Sequence, residues 1–176
     1  MQKRRKPVFV ALLAALTVAL GFLLTPVPNI ELVTFSLFLS GYLLGLGSGL
    51  LTALVALLIF YGFNPYGSSI GFPPLFAAQI VAGLVIASLG GFFRCLYPPE
   101  KNYGWRRPLA LIPFAGVASL CLTQIPMLLI PLLGTGPWQG WIALGTMMTI
   151  TSFLFNMVIF MVGFEPLVCR IARLRL

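Results

Sequence analysis

The sequence predicts an all-α integral membrane protein with six transmembrane helices and with both termini on the cytoplasmic side. Of the 176 residues, 60% are hydrophobic and only 8% are charged, a balance that lipid can solvate but a soluble domain of this size could not bury. The apolar residues form long unbroken runs rather than alternating. In hydrocarbon every backbone amide needs an internal partner, which requires helices or a closed barrel, and the long unbroken runs select helices.

The positions of the basic residues predict the topology. The predicted spans belong to one domain, 1–176, and cover residues 8–25, 30–45, 49–63, 74–93, 109–133 and 139–164. With these spans, all eleven Lys and Arg residues fall on one side of a cell membrane. Because Lys and Arg resist translocation, this bias fixes the orientation and the number of spans together. The net charge of +8 is therefore interpreted as topology anchoring at anionic headgroups rather than nucleic-acid binding.

The first three spans are separated by turn-forming residues. The first follows the basic cluster Lys3–Lys6 and ends at the segment Thr25–Asn29, which contains two prolines. A secretory signal peptide is an alternative for this start, although the apolar run is long and no small-residue cleavage site follows it. A glycine-rich turn, Gly45–Gly49, separates spans two and three, and a loop dense in turn formers, Asn64–Pro74, follows span three.

The last three spans are punctuated by prolines and tryptophans. Span four begins at Pro74, a residue suited to the first turn of a helix, and ends at a basic loop. Span five contains three prolines, so we expect a kink with freed carbonyls near Leu122 and Met127. Trp138 and Trp141, at the start of span six, suit an outer aromatic belt.

The inventory of reactive side chains argues against catalysis. The sequence has no His, three acidic residues and three Cys, none of them in a C-x-x-C pair. Most catalytic constellations and metal sites need residues that this set lacks. No phosphate-binding loop motif occurs, so no nucleotide or other cofactor is expected in this chain.

Polar side chains gather at the outer ends of the predicted spans. Glu31 is the only acid on that side, and it is either a ligand or gating contact or a carboxylate that caps the helix start. Amides in lipid need a hydrogen-bond partner, which is either a neighbouring helix or a ligand. Together these groups predict a polar pocket with an aromatic wall, open to the outside. The candidate substrate-binding residues are Asn29, Glu31, Asn64, Tyr66, Gln79, Gln124 and Trp141.

A further polar stripe lies deeper in span six. Asn156 shares a helical face with Gly145, Thr149 and Ser152. Its amide also needs a partner from another helix or from a ligand.

A stripe of small residues marks the first span. Ala11, Ala15 and Ala19 recur at steps of four and so share one helical face. Small side chains let another helix approach closely in lipid. The stripe therefore packs either against a partner subunit or within the same chain.

Several motifs together carry a resemblance to a known family. They are the first-span pattern from Ala11 to Ala19, the start of span two at Pro28-Asn29-Ile30-Glu31-Leu32-Val33, the turn Gly45-Leu46-Gly47-Ser48-Gly49, and Asn64-Pro65-Tyr66-Gly67 followed by Pro73-Pro74-Leu75-Phe76-Ala77-Ala78-Gln79. With these motifs the chain resembles, from about Val8 to Phe164, the substrate-binding S component of energy-coupling factor transporters.

The resemblance implies a carrier for a vitamin or related micronutrient. It implies an outward cavity gated by the Thr25–Asn29 and Asn64–Pro73 loops. It also implies that Ala11, Ala15 and Ala19 dock on the transmembrane coupling subunit of a module with ATP-binding-cassette ATPases. ATP would then be used by the partners, while the loaded S component tips over in the bilayer.

Two other functions stay open. A scaffold or assembly subunit without a ligand would explain the small-residue stripes but not the outer polar cluster. An intramembrane lipid-modifying enzyme or protease would need an acid–base pair, a nucleophile–His pair or a metal cluster inside the membrane.

Overall fold

The protein is an α-helical bundle. A computed structural model describes residues 6–25, 32–65, 67–99, 101, 103–132 and 137–173. The described residues form helices and short turns and no strand, which confirms the all-α prediction. The helices are α1 Lys6–Leu24, α2 Leu32–Leu44, α3 Leu46–Gly62, α4 Pro73–Leu96, α5 Arg106–Ser119, α6 Ile125–Leu132 and α7 Trp138–Arg173. A 3₁₀ turn, Ser69–Gly71, precedes α4, and a π-turn, Leu120–Gln124, joins α5 to α6.

Four helical segments are long and apolar enough to cross a membrane. They are Lys6–Leu24, Pro73–Leu96, Arg106–Leu128 and Trp138–Arg170. The apolar helices α2 and α3 are shorter, with 13 and 17 residues, or about 20 and 26 Å at about 1.5 Å per residue. The structure is therefore compatible with a multi-pass membrane protein, whereas six spans and the orientation stay predictions.

Helices α4 and α7 extend beyond the C-terminal ends of the predicted spans, and α3 begins at Leu46, within the predicted turn Gly45–Gly49. Helix α4 continues to Leu96, and α7 continues through Pro166 to Arg173. The segment after residue 164, expected as a tail, is thus mostly helical. The physical reason is that hydropathy reports where a chain leaves hydrocarbon, whereas a helix satisfies its own backbone groups and can continue into the headgroup region.

Helix α2 lies at the centre of the bundle. Every residue from Val33 to Tyr42 is buried, and α2 packs against α1, α3, α4 and α7. Its mostly apolar sequence fits this position, because a helix surrounded by other helices needs no polar face.

Glycines let the backbones of α2, α3 and α4 approach closely. A Cβ atom on Gly41 would lie 1.9 Å from the Ala87 carbonyl oxygen, and one on Gly90 would lie 1.9 Å from the Phe38 carbonyl oxygen. A Cβ on Gly49 would lie 2.5 Å from the Gly41 Cα. Small residues at such crossings are typical of helix packing in lipid.

An aromatic cluster joins α2 to α4, α5 and α7. The Phe38 ring lies 5.7 Å from Phe93, 6.0 Å from Phe114, 5.0 Å from Phe160 and 6.0 Å from Phe164, measured between centroids. The rings meet at tilted or edge-on angles, the arrangements that aromatic quadrupoles favour. This cluster fixes the half of the bundle that contains the turn between α2 and α3.

The described basic side chains lie at one end of the bundle. Gly21 in α1 contacts Val33 and Phe60, so α1 runs antiparallel to α2 and its Lys6 end lies near the Gly45 turn. Arg94 also reaches this turn, because its Nη1 donates hydrogen bonds to the carbonyls of Tyr42 and Leu43 at 3.2 and 2.6 Å. The one-sided charge pattern of the sequence therefore corresponds to one end of the folded bundle.

Candidate functional site

Three of the predicted pocket residues lie outside the described residues. They are Asn29, Glu31 and Tyr66. The two interpretations of Glu31, ligand contact and helix cap, therefore both stay open.

Gln79 carries a buried acceptor near the N-terminal end of α4. Its side chain is half-buried in the second turn of the helix. Its Oε1 atom is buried and has no hydrogen-bond partner in the described part of the chain. A buried acceptor without a donor costs about 1–3 kcal/mol, so this oxygen would gain from a ligand that donates an N–H or O–H.

The other predicted pocket residues lie on different elements. Asn64 is half-buried just after α3, and its carbonyl accepts a hydrogen bond from the Gly67 N–H at 3.1 Å. Trp141 is half-buried in the first turn of α7. Gln124 is half-buried in the π-turn, which packs against both α4 and α7. That Asn64, Gln79, Gln124 and Trp141 share one pocket stays a prediction.

The kink expected in span five takes the form of the π-turn. The Ile125 N–H donates to the Leu120 carbonyl, five residues back rather than four. Pro126 follows, and it has no N–H with which to bond the Leu122 carbonyl. Such π-turns inside α-helices are frequent at functional sites.

Gln124 projects from this π-turn onto α7. Its Oε1 accepts a hydrogen bond from the Thr149 hydroxyl at 3.2 Å. A Cβ on Gly145 would lie 2.9 Å from the same oxygen, so the glycine makes room for the amide. The Thr149 hydroxyl also lies 2.6 Å from the Thr123 hydroxyl. A polar layer thus spans the α5–α7 interface inside an apolar bundle.

A second polar contact lies deeper in the same interface. Asn156 is fully buried, and its Nδ2 donates to the Ser119 hydroxyl at 2.9 Å. Its Oδ1 is buried and has no partner among the described residues. Of the two kinds of partner considered for Asn156, a neighbouring helix binds the amide nitrogen. The amide oxygen has no partner among the described residues.

Sequence reasoning missed a partly buried ion pair at the basic end. Arg107 is almost fully buried, and its Nη1 lies 3.2 Å from Glu165 Oε1. Its Nη2 donates to the carbonyls of Pro98 and Lys101, and its guanidinium lies 5.2 Å from the centroid of the Tyr103 ring. Arg107, expected only as a topology anchor, therefore also ties the α4–α5 loop to α7. The two residues of the pair are 58 positions apart, and no local pattern indicates such a pairing.

The predicted docking stripe is exposed. Ala11, Ala15 and Ala19 are exposed in the isolated chain, whereas Ala14 and Thr17 on the same helix are buried. The internal packing of α1 thus uses a different face from the stripe.

The comparisons with known proteins add no family. The chain matched no protein-family model, no curated protein and no solved structure. Among the described residues, no group of three or more His, Cys, Asp or Glu side chains could hold a metal ion.

Proposed function

We propose that this chain is the substrate-binding S component of an energy-coupling factor type uptake transporter. It takes up a vitamin or related micronutrient in a pocket at the end of the bundle opposite to the basic residues. It delivers the solute together with a separate transmembrane coupling subunit and ATP-binding-cassette ATPases. In this proposal α2 and α3 complete a bundle of six spans, and both termini are cytoplasmic.

The unpartnered Oε1 of Gln79 is the observation that carries the proposal. Removing an amide oxygen from water inside a bundle is unfavourable unless a donor meets it. The atom lies in the second turn of α4, on the same half of the bundle as the predicted outer loops. A solute that donates a hydrogen bond here would offset this cost, which supports a binding function over a purely structural one.

The exposed alanine stripe supports the need for a partner. A membrane helix that leaves a small-residue face outside its own bundle can bring a second protein's helix into close contact. Since the buried face of α1 is formed by Ala14, Thr17 and Gly21, the stripe is available without rearranging the bundle.

Native mass spectrometry of the purified chain tests the binding function. We expect a small molecule to co-purify with the wild-type protein and to be lost or strongly reduced in Gln79→Ala. The matched control is Gln139→Ala, because Gln139 is exposed at the start of α7 and its loss should leave the adduct intact. A wild-type protein without any bound molecule, or equal adducts in both variants, would argue against the proposed pocket.

A scaffold function is the second candidate, and one observation favours it. The amides of Gln124 and Asn156 both bond to neighbouring helices, as expected where polar groups only hold a bundle together. The two functions differ in the Gln79 experiment, because a scaffold has no solute to lose.

A further inference from the structure

The loop between α4 and α5 is held from the inside of the bundle by Arg107. Its buried guanidinium donates hydrogen bonds to the carbonyls of Pro98 and Lys101. It also lies 5.2 Å from the centre of the Tyr103 ring. The φ angle of Gly104 is 54°, a left-handed conformation that suits glycine at the last turn before α5. These contacts fix the backbone of the loop, so its outward side chains start from defined positions.

Two cations and one tryptophan lie on the outer side of this loop, and we call them the basic patch. Lys101 and Arg106 are exposed, and Trp105 is 71% exposed. Neither cation forms an ion pair within the described part of the chain, whereas the Glu165 carboxylate is paired with Arg107 at 3.2 Å. Helix α5 begins at Arg106 and has no acid in its first turn, so the positive end of its dipole adds to the charge. The basic patch therefore attracts an anionic group.

An exposed apolar stripe continues from the basic patch along α5 into the π-turn. Its members recur at steps of three or four and so share one helical face: Leu109, Pro113, Val117 and Leu120. The opposite face, with Leu111, Ala115 and Ala118, is fully buried. From Leu109 to Leu120 the stripe is about 17 Å long at about 1.5 Å per residue. One leaflet of a hydrocarbon core is about 15 Å thick, so this α5 stripe has the length of one leaflet.

Cations at one end of an apolar stripe fit an anionic phospholipid better than an acidic protein surface. The segment 94–107 contains four basic residues and one acid, and Lys and Arg near a bilayer surface attract anionic lipids. Tryptophan also favours the headgroup level of a membrane. A phospholipid complements both parts of the surface, because its phosphate meets the basic patch while its acyl chain covers the α5 stripe. A soluble acidic surface would reach only the basic patch.

We propose that the basic patch and the α5 stripe together bind one anionic phospholipid. Lys101 and Arg106 donate to its phosphate, Trp105 packs beside the headgroup, and one acyl chain lies along the stripe. This is a single site on one helix face, in addition to the general attraction between the basic end and anionic headgroups. The inference does not rest on the proposed function, because it needs neither a solute nor a partner subunit.

Native mass spectrometry of the delipidated full chain in detergent tests the site. Phosphatidylglycerol and phosphatidylcholine with the same acyl chains are titrated separately. We expect a single phosphatidylglycerol adduct at a lower lipid concentration than any phosphatidylcholine adduct. Equal binding of the two lipids would overturn the proposal and would favour an acidic protein surface as the occupant of the basic patch. Glycerol 3-phosphate, which has the phosphate but no acyl chain, should not displace the lipid at equal concentration, and displacement would contradict a role for the stripe.

Two double variants separate a defined site from diffuse attraction. Lys101→Gln with Arg106→Gln should weaken phosphatidylglycerol binding about tenfold or more, because both phosphate contacts are lost, and should leave phosphatidylcholine binding unchanged. The control is Lys6→Gln with Arg170→Gln, which removes the same charge from exposed positions of α1 and α7. We expect the control to bind phosphatidylglycerol like the wild type. All four positions are exposed, so neither double variant should disturb folding. An equal loss of affinity in both double variants would overturn the site.

Discussion

Replacing Gly90 with alanine should force apart the closely packed helices α2 and α4. The new Cβ would lie 1.9 Å from the Phe38 carbonyl oxygen and 2.8 Å from its carbon. A comfortable carbon–oxygen contact is about 3.3 Å, so one backbone would have to move by about 1.4 Å. Because both contacted atoms belong to the backbone, no side-chain rotation can relieve the clash.

The expected cost follows from this displacement. Inserting a methyl group into a well-packed interior costs about 1–3 kcal/mol. Gly47→Ala is the matched control, because a Cβ on Gly47 in α3 meets nothing within 4 Å. That variant should gain up to about 1 kcal/mol from the higher helix propensity of alanine. The two variants should therefore differ by about 1–4 kcal/mol in the free energy of unfolding.

Unfolding of the purified variants in mixed micelles, followed by circular dichroism across a series of SDS fractions, measures this difference. We expect Gly90→Ala to unfold at a lower SDS fraction than the wild type, and Gly47→Ala at the same or a higher fraction. Equal stability of the two variants would show that α2 and α4 do not cross as closely as described.

Three further predictions test the docking face, the ion pair and the topology. Ala15→Trp should prevent co-purification of the ATPase partners while the solute adduct is retained, because the large ring keeps a partner helix away from the stripe. Arg107→Gln should lower the free energy of unfolding by about 3 kcal/mol, because it leaves the Glu165 carboxylate and two loop carbonyls without their donor; Arg106→Gln, at an exposed neighbour, should change it by less than about 0.5 kcal/mol. A membrane-impermeant maleimide should label the exposed Cys95 and Cys169 only after cells are permeabilised.

Each of these three experiments has an outcome that contradicts its basis. Normal recovery of the ATPases with Ala15→Trp would contradict the proposed docking face. Leu54→Trp, at an exposed position of α3, controls for the added ring. Equal stability of the two arginine variants would argue that the ion pair is not formed in the membrane. Labelling of the native cysteines in intact cells would reverse the orientation, whereas Ser68→Cys in the opposite loop should label from outside.

The helical architecture could be predicted because its causes are local. Long apolar runs, proline-containing segments and the Gly45 turn each act within a few residues, and all the predicted spans contain helix. The helix ends were less accurate, since Leu96 and Arg173 lie beyond the runs that hydropathy detects. Pro126 indicated an irregular fifth span, but it did not indicate a π-turn. The π-turn packs against α4 and α7, which are distant in the sequence.

The polar contacts were less predictable because they join distant parts of the chain. The stripe that contains Asn156 and Thr149 could be identified from its helical spacing, but their partners Ser119 and Thr123 on α5 and the π-turn could not. The ion pair between Arg107 and Glu165 could not be predicted either. A sequence indicates which charged residues lie on the same side of the membrane, but not which of them form ion pairs.

Solute uptake into vesicles that contain only this chain tests the central claim most directly. The small molecule identified by native mass spectrometry is supplied outside, with and without an inward sodium gradient. Our account predicts binding but no accumulation above the external concentration, and accumulation once the coupling subunit, the ATPases and ATP are added. Uphill accumulation by the chain alone would contradict it.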